Sequence, residues 1–455
     1  MRIRSQKQLY FKPQSPRYGR QEELEQLSKI LESLPEYESI LDKVLSDLSG
    51  SEVRSVNGRS GMTAEQVLRA LILRMRFEYS YRELADSTED ALSAREFLKL
   101  APYEKGFTYK TLQCNIKLLK EDTLDLVNDA IKKFAQSSEI EDGAEIRTDG
   151  FTTESNIHYP TDWSLMNDSI RVLSRVLVRT YEDLGVPVKF TNHYRASKKK
   201  LFKIHNSKSP KKRKGWNLEL IRLCRKTLKY SQAALPIMET FKGFKSADEL
   251  AYLQGLIADL KHYMPLVERV IDQAHRRIVK GEKVPSDEKL VSIFEEHTDI
   301  ISKGSREVVF GHKSTSTTGR SGLVLDAQVH DGNPADSTLV EGVIQAHKDF
   351  YSAAPRSAVF DGCYSSNDNR EFAASEEIQN ICFSKETDEE SSCTRPIRKR
   401  LRNFRAGIEA SVSMLKRMFC LTRIMDKGIQ SFRTAVKAAV VTYNLFILSR
   451  IALRT

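Results

Sequence analysis

The distribution of strand-type segments is the feature of this sequence that most restricts its fold. Strand-type residues occur first at Ile146, Thr148 and 151–153, and they return only at about 306–332. The residues between 166 and 299 instead carry apolar side chains at helical spacing. A sheet in this chain must therefore combine segments that are far apart in sequence. We predict an α/β core with a helical insertion after its first strand.

The remaining segments complete this outline. Residues 306–332 predict two strands joined by the turn "TTGRSG", and "SAVFDG" and "EIQNICFS" predict two more. Residues 403–452 have a helical pattern, as do 21–138, where Thr63 is a good N-cap. The predicted domains are a basic arm (1–20), a helical domain with helix-turn-helix character (21–138), the α/β core (139–165 and 300–455) and the insertion (166–299).

Charge indicates the class of partner. The formal net charge is +11 and the pI is about 9.2, which favours a polyanion, most simply nucleic acid. The six cysteines form no CxxC pair and no Cys/His cluster, which disfavours a structural zinc site or a disulfide scaffold. The N-terminal segment lacks the apolar core of a signal peptide, and we expect no membrane span. These features predict a soluble protein of the cytoplasm.

One basic stretch lies inside the predicted insertion. Residues 195–215, "RASKKKLFKIHNSKSPKKRKG", contain no acid. Such a run is commonly a solvated loop or flexible arm, but in a basic chain a phosphate-contacting arm is an equally good interpretation. Lys211, Lys212 and Arg213 are the candidates for phosphate contact.

Three acids stand where catalytic carboxylates would be useful. Asp149 lies near the end of the first strand, Asp361 directly follows "SAVF", and Glu409 lies on the late helix. Two Asp and one Glu could supply hard oxygen ligands to two Mg²⁺ ions. Each acid alone is weak evidence, since most Asp-Gly pairs are turns. The competing acids are Asp162, Asp168, Asp326, Asp331 and Asp336.

The late helix carries more information than the two Asp-Gly pairs. Glu409 is the only acid in "RKRLRNFRAGIEASVSMLKRMF", and Arg405 and Lys416 lie four residues before it and seven after it, near one helix face. An exposed Arg405–Glu409 ion pair would contribute only a few tenths of a kcal/mol. A metal-binding Glu flanked by phosphate-binding bases explains both signs of charge.

These residues resemble the DDE transposases of bacterial insertion sequences. That family has the signature Tyr, two residues, Arg, three residues, Glu, six residues, Lys, which Arg405, Glu409 and Lys416 match, whereas Arg402 stands at the Tyr position. "RTDGFTTESNIHYPTDWSLMNDSIRVL", "FGHKSTSTTGRSGLVLDAQVHDGNPADSTL", "VFDGCYSS" and "GRSGMTAEQVLRALILRMRFEYSYRELAD" are similar to segments of an ISNCY-like group, in the same order.

The resemblance implies an RNase H-like core with Asp149, Asp361 and Glu409 as the catalytic and metal-binding triad. It also implies two Mg²⁺ (or Mn²⁺) ions and binding of terminal inverted repeats. The expected reactions are cleavage at transposon ends and strand transfer into target DNA, in a homodimer or larger synaptic assembly associated with a bacterial nucleoid. The expected DNA contacts are Arg405, Lys416 and Arg402, with Lys313 and Arg320 from the strand pair.

Two alternatives remain open from the sequence. One is a catalytically silent DNA-binding protein derived from a transposase, and the other is a metal-dependent nuclease without strand transfer.

Overall fold

The computed structural model describes Arg4 and residues 19–50, 61–101, 103–243, 246–303, 307–384 and 393–453. It combines helices with one mixed sheet, in agreement with the α/β class predicted from the sequence. The chain divides into two compact units, Met1–Ser155 with Gly311–Thr455, and Asn156–Phe310. Of the arm predicted at 1–20, only Arg4, Gly19 and Arg20 are among the described residues.

The first unit starts with a helical region. Its helices are α1 Gly19–Ser33, α2 Tyr37–Ser49, α3 Ala64–Arg76, α4 Tyr81–Asp90, α5 Leu92–Phe97, α6 Tyr109–Ile116 and α7 Glu121–Ser137. The N-cap predicted at Thr63 is confirmed, because its hydroxyl accepts from the Gln66 amide while the Gln66 side chain accepts from the Thr63 amide. The apolar faces of these helices join the same hydrophobic core as the sheet.

The sheet is built around its first strand. The strands are β1 Glu145–Ser155, β2 Asp299–Lys303, β3 Glu307–Thr318, β4 Val324–Val329, β5 Ser357–Phe360, β6 Asn380–Phe383 and β7 Arg423–Ile424. β1 pairs antiparallel with β3 and parallel with β5. β4 continues antiparallel from β3, β6 continues parallel from β5, and β7 pairs parallel with the end of β1. The predicted strands are therefore present, in the order β4-β3-β1-β5-β6.

Helices in the C-terminal half cover this sheet. They are α12 Val340–Tyr351, α13 Asn367–Ser375, α14 Arg395–Met418 and α15 Ile429–Ala452. The prediction of continuous helix from 403 to 452 is wrong, because α14 stops at Met418 and α15 starts at Ile429. Cys420 and Gly428 between them have positive φ values of 63° and 84°, and β7 lies in the same interval, so helical dihedrals cannot continue.

Helix α15 is long and apolar enough to cross a membrane by length and composition, but 78% of its most apolar window is buried inside the protein. It packs against α1, α3, α7 and β4 of its own unit. A core helix accounts for this composition.

The second unit is mainly helical, with α8 Asp162–Glu182, α9 Tyr194–Asn206, α10 Pro210–Thr240 and α11 Ala247–His275. The interpretation of 195–215 as a loop or flexible arm is wrong, since α9 and the start of α10 occupy it. Ile204 and Leu220 anchor these helices in the core of this unit, and Ser209 caps α10 just before Pro210. The lysines are thus displayed on ordered helices.

Candidate active site

Helix α14 lies against β1 in a regular sequence of contacts. Glu145, Arg147 and Asp149 share one face of β1, because alternate residues of a strand point to the same side. Nη1 of Arg400 donates to both carboxylate oxygens of Glu145, at 2.7 and 2.9 Å. Two residues along, Nη1 of Arg147 donates to the Phe404 carbonyl at 2.7 Å. The next step along β1 brings Asp149 to the following turn of the helix.

Three carboxylates surround one guanidinium at that turn. Nη1 of Arg405 lies 3.5 Å from Oδ2 of Asp149 and 3.6 Å from Oδ1 of Asp361, and Nη2 lies 3.5 Å from Oε1 of Glu409. The three predicted acids come from β1, from the end of β5 and from α14. The fold therefore brings together side chains that are far apart in sequence around a single positive charge.

The two aspartates repel each other across this cation. Their oxygens both lie beside the same nitrogen of Arg405, so they can be no more than 7.1 Å apart. Two negative charges at about 7 Å repel by about 2 kcal/mol at an effective dielectric constant near 20. A cation between Asp149 and Asp361 relieves this repulsion, whether it is a guanidinium or a metal ion.

Asp149 has the most perturbed environment of the three acids. Burial raises the pKa of Asp149 to about 6, and the charges of Asp361 and Asp336 act in the same direction. A hydrogen bond of 2.7 Å from the Gly150 amide to Oδ1, together with the Arg405 charge, acts to lower this pKa. Oδ1 is thus held by the backbone while Oδ2 faces the guanidinium. Such a shift is typical of functional carboxylates, although structural networks also produce it.

Solvent reaches the site from the side of α14. The Glu409 side chain is 68% exposed, whereas Asp149, Asp361 and Arg405 are 27%, 31% and 18% exposed. Two aspartates therefore form the floor of the site, and the exposed Glu409 lies at its mouth. A ligand from solution would meet Glu409 first.

A second polar group adjoins the floor, and few features of the sequence pointed to it. Oδ1 of Asp336 and the Tyr364 hydroxyl would both lie 3.4 Å from a Cβ added at Gly150. Lys313 forms an ion pair with Asp336 at 2.6 Å, and its ammonium also donates to the Pro334 carbonyl at 2.6 Å. Burial and the neighbouring Asp336 and Asp149 charges raise the pKa of Tyr364, which keeps the phenol neutral. Asp336 was only one of several competing acids in the sequence.

The other predicted DNA contacts occupy different environments. Lys313 is buried and pairs with Asp336, so its charge acts on the acids of the site and is not displayed on an exposed surface. Arg320, in the turn after β3, is exposed, and Lys211, Lys212 and Arg213 are exposed at the start of α10 in the second unit. Arg402 and Lys416 are half-buried on α14.

Three other competing acids form separate ion pairs, and a fourth, Asp326, lies near a lysine that pairs with Asp125. Asp162 pairs with Arg277, and Asp168 with His158 and Arg171, all in the second unit. Asp331 pairs with Arg433, and Asp326 lies on β4 near Lys437. None of these pairings includes Asp149, Asp361 or Glu409.

The donor set suits a hard divalent cation. Carboxylate oxygens are the ligands that Mg²⁺ and Mn²⁺ prefer, and the three acids already share one positive charge. Within the described ranges, no three His, Cys, Asp or Glu side chains are close enough to hold a metal ion as they stand. The three acids are suitable ligands for such a metal ion, and the guanidinium of Arg405 occupies the space between them.

Comparison with models of protein families, with curated proteins and with solved structures gave no match for this chain.

Proposed function

We propose that this protein is a DDE transposase that cleaves DNA at transposon ends and transfers the ends into target DNA. The observation that carries the proposal is the convergence of Asp149, Asp361 and Glu409 on one guanidinium, with all three contacts at 3.5–3.6 Å. An RNase H-like core is part of the proposal. The central strand β1, with antiparallel strands on one side and parallel strands on the other, supports it.

The three carboxylates would hold the metal ions. Bound Mg²⁺ or Mn²⁺ supplies activation of the attacking oxygen and stabilisation of the leaving oxygen in phosphoryl transfer. Asp149 lies within β1, one residue beyond the parallel pair Thr148–Phe360, and Asp361 directly follows β5. Glu409, on the exposed side of α14, can adjust as DNA arrives. Half-buried Lys416 and Arg402 lie on the same helix and would neutralise phosphates beside the site.

DNA in this proposal includes both the terminal inverted repeats and the target. Two ends must meet before joining, so we propose that the protein acts as a homodimer or a larger synaptic assembly. The exposed lysines and arginine at the start of α10 offer a further surface for the phosphate backbone.

The test uses the inverted repeats that are expected to flank the coding sequence. Wild-type protein with Mg²⁺ should cut at the repeat ends, and Asp149→Asn should abolish cutting while DNA binding in a mobility-shift assay is retained. Asp331→Asn is the matched control, because it neutralises an acid that is 81% exposed and whose ion pair, with Arg433, lies outside the cluster around Arg405. Unchanged cleavage by Asp149→Asn would remove Asp149 from the mechanism.

A second experiment separates the alternatives. Pre-cleaved ends are incubated with target DNA, and joined products are scored on a gel. A transposase gives joined products that depend on Asp149, Asp361 and Glu409. A plain metal nuclease cuts the repeats without joining them, and a silent DNA-binding protein neither cuts nor joins.

A further inference from the structure

Arg405 is placed differently from the other arginines that connect α14 and β1. Arg147 and Arg400 make hydrogen bonds of 2.7–2.9 Å with their partners. Arg405 lies at 3.5–3.6 Å from three carboxylates, which is longer than the 2.7–2.9 Å of a charge-assisted hydrogen bond. Its guanidinium is therefore held by the charge of the whole cluster and not by a directed bond to one acid.

We propose that Arg405 is an internal counter-ion that occupies the space of the divalent cation and is displaced when the cation binds. The inference rests on the proposed function, since it concerns the same three acids. In the metal-free protein, the single charge of the guanidinium offsets part of the negative charge of Asp149, Asp361 and Glu409. When a divalent cation enters, its two charges replace the single charge of Arg405.

Three features of the site allow this exchange. No short hydrogen bond has to be broken between Arg405 and an acid, because the three contacts are long. The arginine stem is flexible, and its side chain is already 18% exposed, so the guanidinium can move outward along α14. Glu409, at the mouth, can follow it or stay with the metal ion.

The exchange would couple metal binding to DNA binding. A guanidinium that leaves the acids is released at the mouth of the site, on the same helix as Lys416 and Arg402, where a phosphate group can accept it. An arginine matches phosphate geometry with its planar set of N–H donors. The released charge would thus favour a DNA backbone only when the metal is present.

The test measures metal binding directly, without an activity assay. Mn²⁺ is titrated into the full-length protein, and bound and free ion are separated by electron paramagnetic resonance. In the wild type, Mn²⁺ can bind only those molecules in which the Arg405 guanidinium has left the acids. If these are about one-tenth of all molecules, Arg405→Gln should bind Mn²⁺ about tenfold more tightly than wild type. Arg405→Lys keeps the charge and should fall between the two. Arg417→Gln removes the same charge from an exposed position of the same helix and should leave the affinity unchanged.

Thermal unfolding gives an independent readout. In EDTA, Arg405→Gln should melt below Arg417→Gln, because its three carboxylates lack a counter-ion, and saturating Mn²⁺ should remove this difference. Equal or weaker Mn²⁺ binding by Arg405→Gln, in a wild type that does bind Mn²⁺, would overturn the inference and leave the proposed function standing. Absence of Mn²⁺ binding in the wild type and in every variant would overturn the proposed metal chemistry itself.

Discussion

Gly407 on α14 allows a stringent test of how the helix meets the sheet. A Cβ added at Gly407 would lie 2.0 Å from Nη1 of Arg147 and 2.7 Å from its Cζ. The Arg147 guanidinium would have to move by more than 1 Å, because carbon–nitrogen contacts of this kind are normally no closer than about 3.4 Å. That movement breaks its hydrogen bond to the Phe404 carbonyl.

The sign of the effect distinguishes this site from an ordinary helical glycine. Gly→Ala inside a helix stabilises a protein by about 1 kcal/mol when nothing opposes the new methyl group. Loss of a hydrogen bond from a charged donor costs about 1.5–3 kcal/mol. We therefore expect Gly407→Ala to lower the free energy of unfolding by about 0.5–2 kcal/mol. The same loss would loosen the helix that carries Arg405 and Glu409.

Urea unfolding followed by far-UV circular dichroism measures this change. Tryptophan fluorescence is unsuitable, because Trp163 and Trp216 both lie in the second unit. Gly342→Ala on α12 is the control, since an added Cβ there meets no atom within 4 Å, and it should be neutral or slightly stabilising. In an Arg147→Met background, Gly407→Ala should become stabilising. Stabilisation by Gly407→Ala in the wild-type background would refute the packing of Arg147 against α14.

Three further outcomes follow from other parts of the structure. Asn444→Ala should lower the free energy of unfolding by about 2–4 kcal/mol, because the buried Asn444 amide satisfies both Val324 backbone groups at 2.7 and 2.8 Å; a loss below about 1 kcal/mol by urea unfolding would contradict this role. Burial raises the pKa of Asp326. The contribution of this protonated acid to stability is therefore fully present below its unfolded pKa near 3.8 and is lost as pH rises through the folded pKa. The free energy of unfolding should fall with pH more steeply in the wild type than in Asp326→Asn, and a parallel pH dependence of the two by urea unfolding from pH 4 to 8 would contradict this. Replacing Lys211, Lys212 and Arg213 with alanine should reduce the salt dependence of DNA binding, by about 0.9 in log–log slope per lost phosphate contact; an equal effect from alanine at exposed Arg225, Lys226 and Lys229 of the same helix would show that only net charge matters.

The sequence predicted the strands because their local signals agree with their tertiary role. β1, β5 and β6 are runs of strand-type residues bounded by turn residues, and the turn between β3 and β4 contains Gly319 and Gly322. Local chemistry at these places favours the same conformation as the sheet does. Asp361 could be predicted for a related reason, since it directly follows β5. The prediction that Asp149 lies near the end of the first strand is wrong, because β1 continues to Ser155 through its pairing with β3.

The sequence failed where tertiary contacts decide the outcome. The lysine run at 195–215 is largely helical because Ile204 within it and Trp216 directly after it pack into the core of the second unit. The charge pattern of the run gives no local sign of this packing. The burial of Lys313 and the position of Asp336 depend on a contact between β3 and the segment before α12. The length of α14 could not be read from periodicity, because α15 continues the apolar pattern.

The central position of Arg405 is the clearest example of a feature that the sequence could not predict. From the sequence, Arg405 and Glu409 are a helical ion pair at four-residue spacing, and Arg400 is one more base on a basic helix. In the structure, the two arginines differ in kind: Arg400 meets the buried Glu145 at 2.7 and 2.9 Å, whereas Arg405 meets three acids at longer range. The short contact fixes α14 to the sheet, because a buried carboxylate left without its partner would be costly. The long contacts of Arg405 bring its charge close to three carboxylates without a short hydrogen bond to any of them. A helix with eight basic residues between Arg395 and Arg417 thus uses some of them to hold the fold, and the geometry of each contact shows which one is available for chemistry.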